Sequence, residues 1–388
     1  MTEVAIVHTD LSGREAGEAL GAQIRSQLTG SAHALIVFAA PGGDHAALLE
    51  ALAEATGTRT IVGCSSAGEF TDDGAGNGLT NVTAIRATGI RFAASIGHGL
   101  STDAGQAARD VATGFKGASL AEFPFRAALV LVDALAGHTD ELIDAMTLAT
   151  AGGYRFFGGG AGDDARFAHT QVFCGTEVVS DAVVALEIVS KSVIGIGARH
   201  GWTQASAALR VTQANGSSMV SLNAAPAVEA FEEHADDTGQ SFDRADPMPF
   251  FLHNIVGVAT PGGFKLRVPL GISDDGCVAC AAEVPTGTTT HIMSTGGGSA
   301  AEAAGAATRD AVEQVTRDGG TPKAALFFDC VATRLRLGAA FDDELATVSQ
   351  ELGGIPFAGF NSYGQIVRAE GQFSGFHNCT AVVCVLPD

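Results

Sequence analysis

Three short segments of this chain carry the residue types of a small-ligand site at equal spacing. Ser66-Ala-Gly-Glu69, Gly160-Ala-Gly-Asp163 and Ser362-Tyr-Gly-Gln365 each read as a small residue, a spacer, a glycine and an oxygen-bearing side chain. Glycine and serine let a ligand approach the backbone, where exposed amides can hold a carboxylate or phosphate. Glu69 and Asp163 could pair with an ammonium group, while Ser65, Ser66, Asn361, Ser362 and Gln365 could orient polar atoms. This mixture suits an amino acid, since a pocket needs only a few placed polar groups. The competing account is that tight turns and close strand–helix packing need the serines and glycines, with the acids solvated.

Other reactive residues point less clearly to chemistry. Cys64 lies in Gly63-Cys-Ser-Ser-Ala-Gly68, which lacks the elbow spacing of a nucleophile and leads into strand rather than helix. A buried structural thiol is the better account, and Ser65 and Ser66 make no better nucleophiles. Cys277-Val-Ala-Cys280 has no second Cys or His pair at zinc spacing, and in a strand its two thiols face opposite sides. Thr295-Gly-Gly-Gly298 lacks the lysine of a phosphate loop and reads as a connector. The 11 histidines, which a haem would need as ligands, include His253, with apolar neighbours, and His377, which begins a motif joining the third repeat. Structural hydrogen bonding accounts for each, and no axial ligand is assigned.

Each of the three segments closes a strand–helix–strand repeat. Ala34–Phe38 and Ile61 onward flank one helix, Ala128–Val132 and Phe156 onward a second, and Ala325–Phe328 and Phe357 onward a third. Asp44, Thr139 and Asp342 are placed to cap these helices, and Gly57, Gly152-Gly153 and Gly353-Gly354 to end them. Such units form right-handed parallel crossovers. Alternating strands follow at 81–85, 181–186 and 377–383. The expected fold is α/β, with mixed sheets built from repeated βαβ-plus-meander units in two domains, 1–218 and 219–388. Between the second and third repeats, 208–222 and 264–282 read as strands, 236–246 as a loop, and 226–235 and 300–317 as helices.

Length and composition bound the rest. The 388 residues suit two domains, and 46% hydrophobic content supports a large core. A net charge of -21 argues against nucleic acid or an anionic membrane as partner. The N-terminus shows no signal-peptide pattern, and no apolar run is long enough to span a membrane. Seven scattered cysteines fit reduced thiols in the cytoplasm.

The motifs in order resemble the FIST family of intracellular signal-transduction proteins, over nearly the whole chain. Gly63–Glu69 and Phe157–Asp163 are similar to two blocks of its N-terminal domain. Asn223–Ala227, Phe328–Cys330, Gly359–Gln365 and His377–Thr380 are similar to motifs of its C-terminal domain. Gln365 stands where Glu is usual, and Asp329 where Ser is usual. The resemblance implies a sensory module that binds a small ligand, with amino acids proposed for the family and haem reported for some members. The candidate ligand-binding set is Cys64, Ser65, Ser66, Glu69, Gly160, Asp163, Asn361, Ser362, Tyr363, Gln365, His377 and Asn378. The resemblance also implies a partner, a separately encoded histidine kinase or cyclic-dinucleotide enzyme. Nothing in the chain reads as a kinase, a receiver or a DNA-binding helix pair, so the chain must act through another protein if it signals; the leading expectation is a sensor without catalysis. A hydrolase using Cys64 or Ser66 is the enzymatic alternative.

Overall fold

The computed structural model describes residues 1–76, 78–369 and 374–388. All three repeats form, the first of them with the punctuation its sequence dictates. The apolar run Ala34–Ala39 is a wholly buried strand, parallel to Ile61–Ser65 with Leu35 opposite Ile61. Between them lies helix His45–Thr56, where the Asp44 carboxylate accepts from Ala47 N–H at 3.0 Å and Gly57 ends the last turn at φ 74°. The second repeat is Phe125–Val132, helix Thr139–Ala149 and Arg155–Gly160. The third is Pro322–Cys330, helix Phe341–Leu352 and Phe357–Ser362.

Three local expectations change. Thr139 is the first residue of its helix, preceded by His138 at φ 56°. Asp342 lies inside its helix, which starts one residue earlier on buried Phe341 and follows a short helix, Val331–Leu337. The strand expected over 377–383 is two strands, Ser374–His377 and Ala381–Pro387, separated where Cys379 takes a left-handed φ of 48°.

Each repeat is the centre of a larger unit. A strand and helix precede it: Thr2–Thr9 with Gly13–Gln27, Ile90–His98 with Ala104–Gly114, and Gly195–Arg199 with Ser299–Arg317. A final strand follows it: Thr80–Ala87, Ala182–Ser190 and Ala381–Pro387. Within each sheet the final strand lies antiparallel between the unit's first strand and its parallel pair. Just before the final strand comes a hairpin, and it crosses to another unit. The first hairpin, Glu69–Gly76, pairs with Phe357–Ser362 of the third unit. The second, Val172–Val179, pairs with Ile61–Ser65 of the first. The third, whose strands are Gln365–Arg368 and Ser374–His377, pairs with Arg155–Gly160 of the second. Three six-stranded mixed sheets result, each with four strands of its own and two borrowed.

The third unit is interrupted between its first strand and its helix. This insertion, 200–298, folds as a nine-stranded sheet with helices Ala227–Thr238 and Met248–Phe251 around their own apolar core. Residues 1–218 contain the first two units, the first strand of the third and the start of the insertion. The insertion is pinned to the second unit by Asp140, which pairs with Lys265 at 2.7 Å and with the buried guanidinium of Arg267. Arg267 also donates to Phe376 O at 2.8 Å, tying in the third hairpin.

The inner faces of all three unit sheets share one core, where Phe38 meets Phe328 and Phe360 at ring separations of 6.0 and 4.5 Å and Phe157 meets Phe328 at 6.0 Å. The helices cover the outer faces over separate cores. Phe328→Ala should therefore cost about 3–5 kcal/mol. In urea, circular dichroism and the fluorescence of the only tryptophan, Trp202, should report the same lowered midpoint. Two separated transitions would show that the units unfold independently.

Candidate functional site

The hairpin exchange brings the carboxyl ends of the three parallel pairs together. A ring of equivalent backbone hydrogen bonds closes there. Ala67 N–H donates to Asn361 O at 3.0 Å, Gly162 N–H to Ser65 O at 2.9 Å and Tyr363 N–H to Gly160 O at 3.0 Å. These contacts correct the alignment of the repeats by one residue. Ser66 N–H donates to Ala39 O and Ala161 N–H to the equivalent Val132 O, so Ala161 and not Gly160 is the counterpart of Ser66. Gly68 and Gly364 hold a φ of 127°, and a side chain at Gly68 would coincide with the Arg334 guanidinium.

All twelve candidate residues are buried, and most belong to this ring. Cys64 lies apart in the central core, where burial pushes its thiol well above the usual range. Glu69 and Gln365 are near-perfect counterparts. Glu69 accepts from Ser66 Oγ and from Leu79 N–H at 3.1 Å, and Ser66 Oγ lies 3.1 Å from Ala39 O. Gln365 donates to Ser362 Oγ at 2.8 Å and accepts from Thr380 N–H at 3.2 Å, and Ser362 Oγ donates to Asp329 O at 3.1 Å. Burial raises the Glu69 carboxyl to about 7 against these hydrogen bonds.

The remaining candidates have structural partners. Asp163 accepts from the N–H groups of Phe167, Ala168 and His169, each at 2.8 Å, and from the Tyr363 hydroxyl. Burial works to raise it, but these donors prevail and hold it below the ordinary carboxylate range. The loop it organises has Asp164, Ala165 and Phe167 at positive φ and stacks Phe167 on Tyr363 at 4.4 Å. Ser65 Oγ accepts from Gln171 N–H at 3.0 Å. Asn378 binds the insertion, its N–H donating to Leu266 O at 3.2 Å. His377 ends the third hairpin opposite Gln365, and burial depresses it to about 3, which keeps the imidazole neutral.

A different group of polar atoms is left unpaired. Beyond strand Pro322–Cys330, between the third unit and the neck of the insertion, lies a cavity. Asp329, Thr333, Arg336, Glu344 and Cys379 line it from the unit, and His200, Trp202 and Thr295 from the neck. Its free interior of ≈ 10 Å³ is about one water. Asp329 Oδ2, Glu344 Oε2 and Arg336 Nε are buried there with no hydrogen-bond partner, as is Asn361 Nδ2 on the neighbouring strand. Burial raises both carboxyls, and the neighbouring Glu344 charge raises Asp329 further. The Arg336 guanidinium lies 5.4 Å from the centre of the Trp202 ring. The ring and cavity touch, because Ser362 donates to Asp329 O.

Sequence reading missed Arg336, Glu344 and His200. Arg336 and Glu344 sit on amphipathic helices, where a charge normally marks the solvated face. Asp329 alone carried a signal, as an acid at the end of an apolar strand.

The profile of the FIST N domain matches residues 33–225, and that of the FIST C domain matches residues 227–368. No curated protein matches the chain in sequence. Among solved structures, the cyanuric acid hydrolase of A. caulinodans is 8% identical, with a TM-score of 0.33, over 100% of this chain and 99% of that one. Another cyanuric acid hydrolase is 11% identical, with a TM-score of 0.29, over 67% and 82% of the two chains. T. maritima PurL complexed with ATP is 12% identical, with a TM-score of 0.22, over 100% and 71%. Likeness at this level says nothing about this chain's activity.

Replacing Glu69 tests the ring's electrostatics. A carboxyl raised to about 7 binds its proton more tightly in the folded chain than in the unfolded one. Its contribution is therefore full below pH 4.5 and lost as pH rises toward 7. Glu69→Gln should remove that loss by copying the Gln365 arrangement. Against wild type it should be nearly neutral at pH 5 and more stable by about 2–3 kcal/mol at pH 8 in urea unfolding. Equal stabilities at both pH values would mean that Glu69 is charged throughout.

Proposed function

The chain belongs to the FIST family, whose domains serve sensory roles in signal transduction, and from that premise we propose that it is a small-ligand sensor without catalytic turnover. The ligand is a small zwitterion, an amino acid or a close relative, bound in the cavity beyond strand Pro322–Cys330. One observation carries this reading. The cavity gathers unpartnered buried atoms of both characters, the carboxyl oxygens of Asp329 and Glu344 and the guanidinium nitrogen of Arg336. An unmet buried polar group costs about 1–3 kcal/mol, so a ligand with one ammonium and one carboxylate would relieve several such costs together. The location also suits a ligand, since α/β sheets bind at the carboxyl ends of their strands.

The size of the cavity supports a sensor over a simple carrier. A space of about one water must open to admit an amino acid, and its walls belong to two different bodies. Binding then favours a state in which the neck around His200 and Trp202 stands away from the third unit. A separate signalling protein, such as a histidine kinase or a cyclic-dinucleotide enzyme, reads that state. The family's sensory role supports this output.

A thermal-shift panel of the common amino acids tests the proposal. A ligand at about 100 times its Kd adds about 2.7 kcal/mol, a shift of a few degrees. Arg336→Met and Asp329→Asn should each abolish the shift, while Glu69→Gln, in the ring, should keep it. Pairing with an ammonium ionises a carboxyl that burial keeps protonated, so binding should release a proton and tighten as pH rises from 6 to 8. A shift that survives both cavity variants places the ligand elsewhere, and no shift with any amino acid removes the zwitterion reading.

A further inference from the structure

A neutral amino acid brings one ammonium and one carboxylate, but the cavity beyond strand Pro322–Cys330 holds two acids and one cation with unpaired atoms. Asp329 and Glu344 are each 1% exposed, and Oδ2 of the first and Oε2 of the second have no hydrogen-bond partner. Arg336 is the cation, with its Nε buried and unpaired. The other titratable groups of the lining leave this balance unchanged. Arg199 is exposed and already paired with Asp310. Burial lowers His200, which leaves its imidazole neutral at pH 7. The Cys379 thiol, raised by its neighbour Cys330 and by burial, is uncharged too.

One acid therefore stays unmet when a neutral zwitterion binds. With the ligand's carboxylate on Arg336 and its ammonium on Asp329, that acid is Glu344. Glu344 lies in the first turn of helix Phe341–Leu352, where the helix dipole favours a charged carboxylate. Burial opposes the charge and raises the carboxyl to about 8. A second cation on the ligand would ionise it and pair its buried oxygen. Such a cation hangs on a stem of methylenes, which needs an apolar wall. Trp202, Ala300, Ala303 and Ala381 line the same space. The Trp202 ring already faces one cation, the Arg336 guanidinium at 5.4 Å.

We propose that the cavity selects a dibasic amino acid, one whose side chain ends in an ammonium or guanidinium group, and that Glu344 is the residue that reads the second cation. This narrows the zwitterion reading above and rests on it. The charges then close. Asp329, Glu344 and the ligand's carboxylate are balanced by Arg336 and the ligand's two cations. A neutral amino acid leaves either an excess negative charge or a protonated Glu344 with a buried oxygen still unpaired. A diamine satisfies both acids but brings no carboxylate to Arg336. Selectivity of this kind comes from the polar groups that a wrong ligand leaves unmet.

Calorimetric titration of the full chain at pH 7 tests this with matched ligands: lysine against norleucine, ornithine against norvaline, and arginine against citrulline. The members of each pair differ mainly in the second cation. In at least one pair the cationic member should bind about 30-fold tighter or more. Cadaverine, which has two ammonium groups and no carboxylate, should bind at least about tenfold more weakly than lysine. Glu344→Gln should remove most of the preference for the cationic member. It should also lower by about one the number of protons released when that ligand binds, because Glu344 ionises on meeting the second cation. Neutral members that bind as tightly as cationic ones overturn this inference and leave the zwitterion reading standing. Binding of no amino acid overturns both. A preference that survives Glu344→Gln, or cadaverine binding as tightly as lysine, overturns this inference as well. The ligand series uses the unsubstituted chain, so it decides even if Glu344→Gln fails to fold.

Discussion

The constraint on which this fold depends is that no unit completes its own sheet. Each parallel pair would end in an open edge, a row of unpaired amides and carbonyls prone to mispairing. The hairpin that covers that edge comes from a different unit every time, in one cyclic direction. The ring of backbone hydrogen bonds and the shared phenylalanine core follow from that exchange. So does a folding cost. Asn81 reaches Gly359 O across 278 residues of sequence, and the third unit's sheet is not whole until contacts this remote have closed.

Burial then sorts the polar residues gathered at the ring. Where each donor meets an acceptor, as with Ser66 and Glu69 or Ser362 and Gln365, the result is a satisfied floor. Next to it, at the end of strand Pro322–Cys330, the same depth leaves Asp329, Glu344 and Arg336 with unpaired atoms. The repeat ends thus differ in what they offer a ligand, though their backbones are alike. The difference comes from the insertion, whose neck closes over only one of them.

Much of this architecture was legible in the sequence because it is local. Asp44 and Gly57 bracket a helix by chemistry that acts within a few residues, and the runs Ala34–Ala39 and Phe125–Val132 are strands by apolar content alone. The repeats also led to residues that come together, since Ser65, Gly160, Asn361 and Tyr363 all take part in the backbone ring. The crossing of the hairpins was not legible, because a strand such as Glu69–Thr71 has the same alternation whichever sheet it joins. The slip of one residue in the second repeat was hidden by its run of glycines, which align equally well in either register. Arg336 and Glu344 were invisible for a third reason. Periodicity shows which helix face is apolar, but not whether a particular charge has been sealed beneath another part of the chain.

The cyclic exchange has a consequence for stoichiometry. Three identical chains trading hairpins would make the same ring, but symmetry would give them three identical pockets and every substitution in triplicate. Tethered in one polypeptide, the three copies meet at high effective concentration and are free to diverge. Here one copy took up an insertion of about a hundred residues, and Ala39, Val132 and Asp329 now occupy one structural column with three chemistries. A molecule built on threefold geometry can therefore present one site per chain, and its response to a signal need not be cooperative.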